Sequence, residues 1–489
     1  MHKRRWAIFL LTASILAVCI LTPLNAWAPL VVIYERSIAP GLVFRQELFP
    51  ASSPQGPLAV HIFDVDTTSP DLKIIAALGG DTVWDNDPTL GREIVTKLAE
   101  RRQSLAAVNA SFFPFAGNPI GLHMEDGNII TEPMKNRSSF LKLKSGDYAI
   151  AAYSFSGKII CGDVTVPLSG INRKPDSINE NIAFTRQFGK KTLTLENRDW
   201  LILDAVGGSL TVGGVVTSTT VLLHQRDVDI TSDKIYVAMG PTTLAKLRKG
   251  LQQGLPVTIK CVLTALEPDA PPATEIVDAV TGAPRILTNK AVTIQLQQEQ
   301  MSESFSTTRH PRTAIGIRAN GSVLIVTVDG RRPGFSKGAT LDELSQMLIA
   351  HGAVQGLNLD GGGSSVAVAR GLVLNAPSDG SQRPVADALL IQGPSFPSAV
   401  ALPSFPSATP KSVKVAQSVL LFAMPTPNTN HFLWGTDGVA GFIDQSGFFT
   451  GMKAGSTKVT LANGKETVSS TMQVIDSKTP ADPANPLRN

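Results

Sequence analysis

The segment from Val323 to Ser365 constrains this chain most. Val323–Val328 is an unbroken run of aliphatic and β-branched residues, and it ends at Asp329-Gly330-Arg331. That is the pattern of a buried strand closed by a turn. Thr340–His351 follows with helical spacing: Thr340 is placed to cap, Glu343 stands at the third helical position and Gly352 ends the helix. Val354–Leu359 is the next strand, ending at Asp360-Gly361-Gly362-Gly363-Ser364-Ser365. A strand, a helix and a strand in this order predict a right-handed crossover between parallel strands. Asp329 and Asp360 then leave the sheet at one edge, where open α/β sheets bind their ligands. On neighbouring strands, about 4.8 Å apart, the two carboxylates fall within the span that glycosidases use. One carboxyl protonates the leaving oxygen while the other attacks the sugar or activates water.

Asp-Gly is also ordinary turn chemistry, a reading that weighs more for Asp329 than for Asp360. Three glycines in succession sacrifice chain entropy for access to the backbone. The amides of Gly361, Gly362 and Gly363, followed by Ser364 and Ser365, suit an anion such as phosphate. No Gly-Lys-Ser/Thr follows, so this is not a nucleotide P-loop. Asp360 and Asn358 are also a pair that can hold a metal ion, so a divalent cation and no cofactor at all both stay open. Arg312, Arg331 and Arg383 bracket the turns, and a guanidinium holds phosphate through two parallel hydrogen bonds. Taken singly, each arginine reads more readily as a surface or salt-bridge residue. His310, before Pro311, is either an acid or base or a structural histidine. Asn109 closes the apolar run Ala106–Val108, where it can bond sugar hydroxyls, orient a carboxylate or simply make a turn.

The rest of the chain supplies the setting. At 489 residues it divides into two or three folded units. Its net charge is only +4, and beyond the first few residues basic and acidic side chains are interspersed, which argues against nucleic acid as a partner. Short apolar runs such as Leu58–Val65, Leu72–Leu78, Ile235–Met239 and Val257–Leu263 predict strands, with helices at Leu90–Arg101 and Thr340–His351. The class over residues 57–392 is α+β with a mixed sheet. Lys3, Arg4 and Arg5 precede an apolar run with no further charge until Glu35, so residues 1–34 read as an export segment. Ala26-Trp27-Ala28 resembles a cleavage site, but Pro29 opposes the cut, leaving a signal peptide and a membrane anchor as alternatives; Leu16-Ala17-Val18-Cys19 only faintly resembles a lipoprotein box. Either way the body is extracytoplasmic. Cys161 and Cys261 form one bridge or stay as two buried thiols. Residues 393–410 are a Pro/Ser-rich linker, 411–476 alternate like a small β-sandwich, and 477–489 are a polar, disordered tail.

The order of motifs resembles a known family. Val108-Asn109-Ala110-Ser111-Phe112-Phe113, Pro119-Ile120-Gly121-Leu122 and Asp278–Arg285 are similar to segments of the phosphodiester glycosidase family. So are His310–Gly316, Thr327–Arg331, Leu357–Ser365, Ser378-Asp379-Gly380 and Arg383–Ala386. The resemblance implies a catalytic domain over 57–392 with a pocket of Asn109, Arg312, Asp329, Asn358, Asp360 and the glycine turn. It implies hydrolysis of a sugar–phosphate bond, with a glycan or sugar phosphate as substrate. Trp434, Val439-Ala440, Ile443-Asp444 and Gly451–Gly455 resemble bacterial immunoglobulin-like domains of the Big-2 kind. Two other functions fit the same residues: an ordinary glycoside hydrolase acting on exopolysaccharide or cell-wall glycan, and a non-catalytic glycan-binding adhesion protein.

Overall fold

The computed structural model describes residues 31–114, 117–395, 402, 410–421 and 430–476. Residues 1–30, where an export segment is expected, most of the expected linker 393–410 and the expected tail after Asp476 lie outside them. Among the described residues no helix is long and apolar enough to cross a membrane.

Two large sheets pack face to face. The first has eight strands, in the order Val32–Ala39, Leu42–Phe49, Leu58–Val65, Val323–Val328, Arg312–Arg318, Ala353–Asn358, Arg285–Thr288 and Ala291–Val292. The second runs Lys73–Leu78, Asp387–Gln392, Ala106–Asn109, Ala367–Ala369 and Leu372–Val373 before it passes into the C-terminal strands. Phe44, Phe63, Ile315, Ile325 and Leu357 of the first sheet meet Ile74, Val108, Leu389 and Ile391 of the second in one dry core. Helix Leu341–Ala350 covers the outer face of the first sheet through Leu344 and Leu348. Helix Val95–Arg101 covers the outer face of the second through Val95 and Leu98. The longer helix starts as its sequence dictates: Thr340 and Glu343 form a reciprocal capping box. A third body, spanning Ser138–Ala265, adds further strands around its own core, which includes Ile159, Leu201, Val237 and Ile259.

Strand makes up 44% of the chain and helix 11%, so the protein is mostly β. The α+β description holds only for the four layers around the two central sheets. The expected crossover takes a different form. Arg312–Arg318 and Val323–Val328 pair as a hairpin across the Asn320-Gly321 turn, and Ala353–Asn358 then pairs antiparallel with Arg312–Arg318. A hairpin forms from adjacent residues, so it claims the position that a parallel neighbour would have taken. The two Asp-bearing strands still run the same way, but one strand lies between them. The sheet also begins at Val32, inside the segment that the charge pattern assigns to the leader.

Cys161 and Cys261 are both free and buried. On the paired strands Cys161 lies opposite Val257, four residues from Cys261. At about 3.4 Å per residue their separation exceeds the reach of a disulfide.

Among the described residues, 412–421 and 430–475 contribute seven strands around a core of Trp434, Phe449, Leu461 and Met472. This unit is seated on the rest of the chain. Thr436 pairs with Val373, the Arg370 guanidinium donates to the His431 carbonyl, and the Gln445 amide donates to Gln46 Oε1 at 3.0 Å. Gln46 and Gln445 are completely buried in that contact.

Candidate active site

Three strand ends share one edge of the first sheet: the C-termini of Val323–Val328 and Ala353–Asn358, and the N-terminus of Arg312–Arg318 between them. Asp329 and Asp360 therefore stand two strand spacings apart, about 10 Å at backbone level, with Arg312 in the middle. The pairing of carboxylates on neighbouring strands expected from the sequence is replaced by this wider frame.

Asp329 is buried and fully engaged. Its Oδ2 meets His61 Nε2 at 2.8 Å, Asn375 Nδ2 donates to Oδ1 at 2.9 Å, and the Ala376 amide donates to both oxygens. His61 is equally buried, stacked on Phe44 with Phe442 against its edge. Asp329 thus ties together the first sheet, the Asn375 loop and, through His61, the C-terminal unit.

Asp360 differs in every respect. It is half-buried, its Oδ1 accepts from the Gly361 amide at 2.9 Å, and Ser364 donates to its carboxylate. Burial pushes its pKa up to about 6, the Asp387 charge adds to that rise, and Ser364, the Gly361 amide and Arg383 oppose it. A carboxyl with that value exchanges its proton near neutrality, as a catalytic acid or base must. Asn109 lies beneath it, completely buried, donating to the Asp360 carbonyl at 2.7 Å and accepting from Thr313 and the Val366 amide. Asn109 is thereby placed to fix the Asp360 turn from below. Asn358, also buried, donates to the Ala283 carbonyl at 2.6 Å.

The glycine turn is packed by arginines. A Cβ on Gly363 would collide with the Arg383 guanidinium and the Asp379 carboxylate, and one on Gly362 would lie 3.2 Å from Arg331 Nη2. The turn's amides are mostly spent: Gly361 bonds Asp360, Gly362 the Pro311 carbonyl, Ser364 the Gly361 carbonyl and Ser365 the Gly362 carbonyl. The open amide cradle expected over Gly361–Ser364 is therefore closed, and side-chain cations surround the turn instead. Arg383 holds Asp379 at 2.7 Å and Arg331 Nη2 approaches His310 Nδ1 at 3.2 Å.

Arg312 is buried yet has no carboxylate partner among the described residues. It donates to the carbonyls of Ala339, Phe305 and Thr308 and lies over the Phe305 ring at 4.6 Å. Burial, together with the Arg331 charge, pushes it down to about 10. His310 is lowered too, by burial and by the charges of Arg312 and Arg331. A cluster of cations destabilised by each other and by burial is one that an anion stabilises. Half-buried Phe305 meets Phe112 edge to face at 6.0 Å, giving the same rim an aromatic surface.

A second charged group lies below Asp360. Asp387, completely buried, accepts from the Ser111 amide and hydroxyl and from His123 Nδ1 at 2.8 Å, and His123 Nε2 reaches Glu125 at 3.1 Å. Burial opposes the charge on His123, but Asp387 and Glu125 outweigh it and push its pKa up to about 9. Sequence reasoning passed over His61, His123, Asn375 and Asp387. The available signal was polarity inside apolar strands: His61 in Leu58–Val65, His123 in Leu122–Met124, and Asp387 before Ala388–Ile391. Such residues are costly unless paired. No group of three or more His, Cys, Asp or Glu among the described residues is arranged to hold a metal ion.

Residues 210–392 match the phosphodiester glycosidase family. The match spans less than half of the chain, and over it the chain is similar to phosphodiester glycosidases. Over 86 residues, 18% of the chain, it is 42% identical to the SPbeta prophage-derived uncharacterized protein YomE of Bacillus subtilis, spanning 13% of that protein. Over 100 residues, 20% of the chain, it is 31% identical to N-acetylglucosamine-1-phosphodiester alpha-N-acetylglucosaminidase of Bos taurus, spanning 19% of that protein. The matches thus span less than a fifth of these relatives' length. In fold the chain is similar to a hypothetical protein from Synechocystis, with a TM-score of 0.60 at 19% identity over 75% of this chain and 64% of that one. It is also similar to a protein of Burkholderia pseudomallei, with a TM-score of 0.55 at 21% identity over 71% and 76% of the two chains.

Proposed function

We propose that the protein hydrolyses the bond between a sugar's anomeric carbon and a phosphate, as a phosphodiester glycosidase acting outside the cytoplasm on a cell-surface or exopolysaccharide glycan. The observation that carries this reading is Asp360: a half-buried carboxyl poised near neutrality, on a turn flanked by Arg331 and Arg383, with Arg312 at the head of the neighbouring strand. Two of those cations flank the glycine turn directly, and Arg312 lacks a carboxylate, which suits the charge of a leaving phosphate. The aromatic rim of Phe112 and Phe305 suits the apolar face of a sugar ring. Asp360 acts on the anomeric carbon, as nucleophile or as the base that takes a proton from water; the C–O bond to phosphate breaks and the phosphate leaves with its electron pair. A phosphate is a good leaving group, so a dedicated general acid is not required. Asp329, enclosed by its partners, orients the frame instead of touching substrate.

The basic N-terminus and its apolar run support export, and the four C-terminal strands of the second sheet, with a three-stranded sheet beside them around Trp434, support an immunoglobulin-like C-terminal unit. The test is to incubate the full-length protein with an N-acetylglucosamine 1-phosphodiester, with and without chelator, and to follow free sugar. Release that is lost in Asp360→Asn supports the assignment, and the chelator arm decides whether a metal takes part. Full turnover by a folded Asp360→Asn variant overturns it.

A further inference from the structure

The C-terminal unit reaches the rim of the site at two places. Phe442 packs on Phe335 with ring centroids 4.9 Å apart, and Phe335 belongs to the Arg332–Ser336 turn that follows Asp329. Lys453 arrives beside the same turn, its backbone amide held on the Ala440 carbonyl at 3.1 Å. A Cβ on Gly380 would lie 3.6 Å from Lys453 Nζ and 3.7 Å from Arg332 Nη2, so the two cations stand within about 7 Å of each other across a residue without a side chain. Gly380 has φ +79, a conformation that suits glycine, so this gap is built into the backbone.

Neither cation has an ion-pair partner among the described residues. Arg332 Nη2 donates to the Pro377 carbonyl at 2.7 Å, its Nε is buried without a hydrogen bond, and Lys453 is exposed. Asp329 and Asp379 favour the Arg332 charge from beyond ion-pair distance, and Asp379 is itself held by Arg383 over Gly363. Asp379 and Gly380 are consecutive, about 3.8 Å apart along the backbone, so the residue that Arg383 holds adjoins the one that lies between Arg332 and Lys453. Two unpaired cations held together by separate parts of the chain gain most from an anion bound between them.

We propose that Arg332 and Lys453 form a second anion subsite, so that the substrate is a chain carrying another phosphate beyond the scissile one. This rests on the phosphodiester glycosidase reading and deepens it. The C-terminal unit then selects polymeric substrate, since it supplies one of the two cations.

The experiment compares two substrates of the full-length protein: an N-acetylglucosamine 1-phosphodiester of methanol, and one of glycerol phosphate, which carries a second phosphate. Wild type is expected to show the lower KM for the two-phosphate substrate. Lys453→Ala raises that KM about tenfold, the loss of one charge-assisted hydrogen bond, leaves kcat unchanged, and leaves the one-phosphate KM where it was. Lys453→Arg keeps the preference. Equal KM values for both substrates in wild type, or a parallel loss on both in Lys453→Ala, overturns the subsite while the parent reading stands. Turnover of neither substrate by wild type overturns the parent reading and the subsite with it.

Discussion

The two Asp-Gly turns at the edge of the first sheet look alike in sequence and serve opposite purposes in the fold. Asp329 is enclosed by His61, Asn375 and the Ala376 amide. Asp360 keeps part of its surface exposed and meets fewer donors, so burial is not fully offset and its pKa rises to about 6. A carboxylate saturated with donors holds structure; one left short of them is reactive. What separates the two is the company that the tertiary fold brings to each turn, for Asp329 from strands and loops distant in sequence.

Exchanging each carboxylate for its amide tests that contrast most strongly. Asp360→Asn is expected to lower kcat about 10³-fold, within the range for loss of an acid–base or nucleophilic group, while raising the melting temperature at pH 7. The sign follows from linkage: a folded pKa of about 6, above the ordinary value near 3.9, means that ionising Asp360 in the folded protein costs stability. That penalty is absent below about pH 4 and complete above about pH 7, so the gap in melting temperature between variant and wild type widens across that interval. Asp329→Asn is expected to lose about 3 kcal/mol of stability, as breaking a buried pair does, read from the urea midpoint. If Asp329→Asn is stable and inactive while Asp360→Asn is destabilised and active, the assigned roles are reversed.

A smaller change sharpens the part played by the C-terminal unit. Phe442 closes over the edge of His61, the partner of Asp329. Phe442→Leu is expected to cost about 1 kcal/mol and to lower kcat modestly, with denaturation still a single transition. Two separate transitions, with unchanged kcat, would show that the unit is an independent spacer.

How much of this was legible beforehand follows from the range of each interaction. The strands at Leu58–Val65 and Val323–Val328 and the Thr340 cap are local patterns, and the structure places them where periodicity does. The common edge for Asp329 and Asp360 was also legible, because strand direction survives the inserted hairpin. Which strand lies between them was not, since it depends on the competition of Arg312–Arg318 for the same partner. The burial of Asn109 and Asn358, the His61–Asp329 pair and the Asp387–His123 group arise between residues more than two hundred positions apart, except for Asn358 and Ala283. No window of sequence contains both members of those pairs. The C-terminal unit read as a tethered module because its own alternation is self-sufficient, whereas the Gln46–Gln445 and Val373–Thr436 contacts that seat it are long-range.

The finest test of the comparison is the pH profile. If Asp360 works ionised, kcat/KM rises through a limb near pH 6, and if it works as an acid the same limb falls. The neighbours fix which way the limb should move. Arg383 lowers the Asp360 pKa, so Arg383→Ala carries the limb to higher pH; Ser364 also lowers it, and Ser364→Ala shifts the limb the same way. Asp387 raises it, so Asp387→Asn carries the limb to lower pH. Each shift should be under about one unit, near 1.4 kcal/mol, since each neighbour is one contribution among several. Asp329→Asn shifts the limb less than any of these changes, because Asp329 stands two strand spacings away and is not among the largest influences on Asp360. A limb that ignores Arg383, Ser364 and Asp387 but follows Asp329 would locate the titrating group in the turn assigned here to structure. The contrast between the two aspartates would then have to be drawn the other way round.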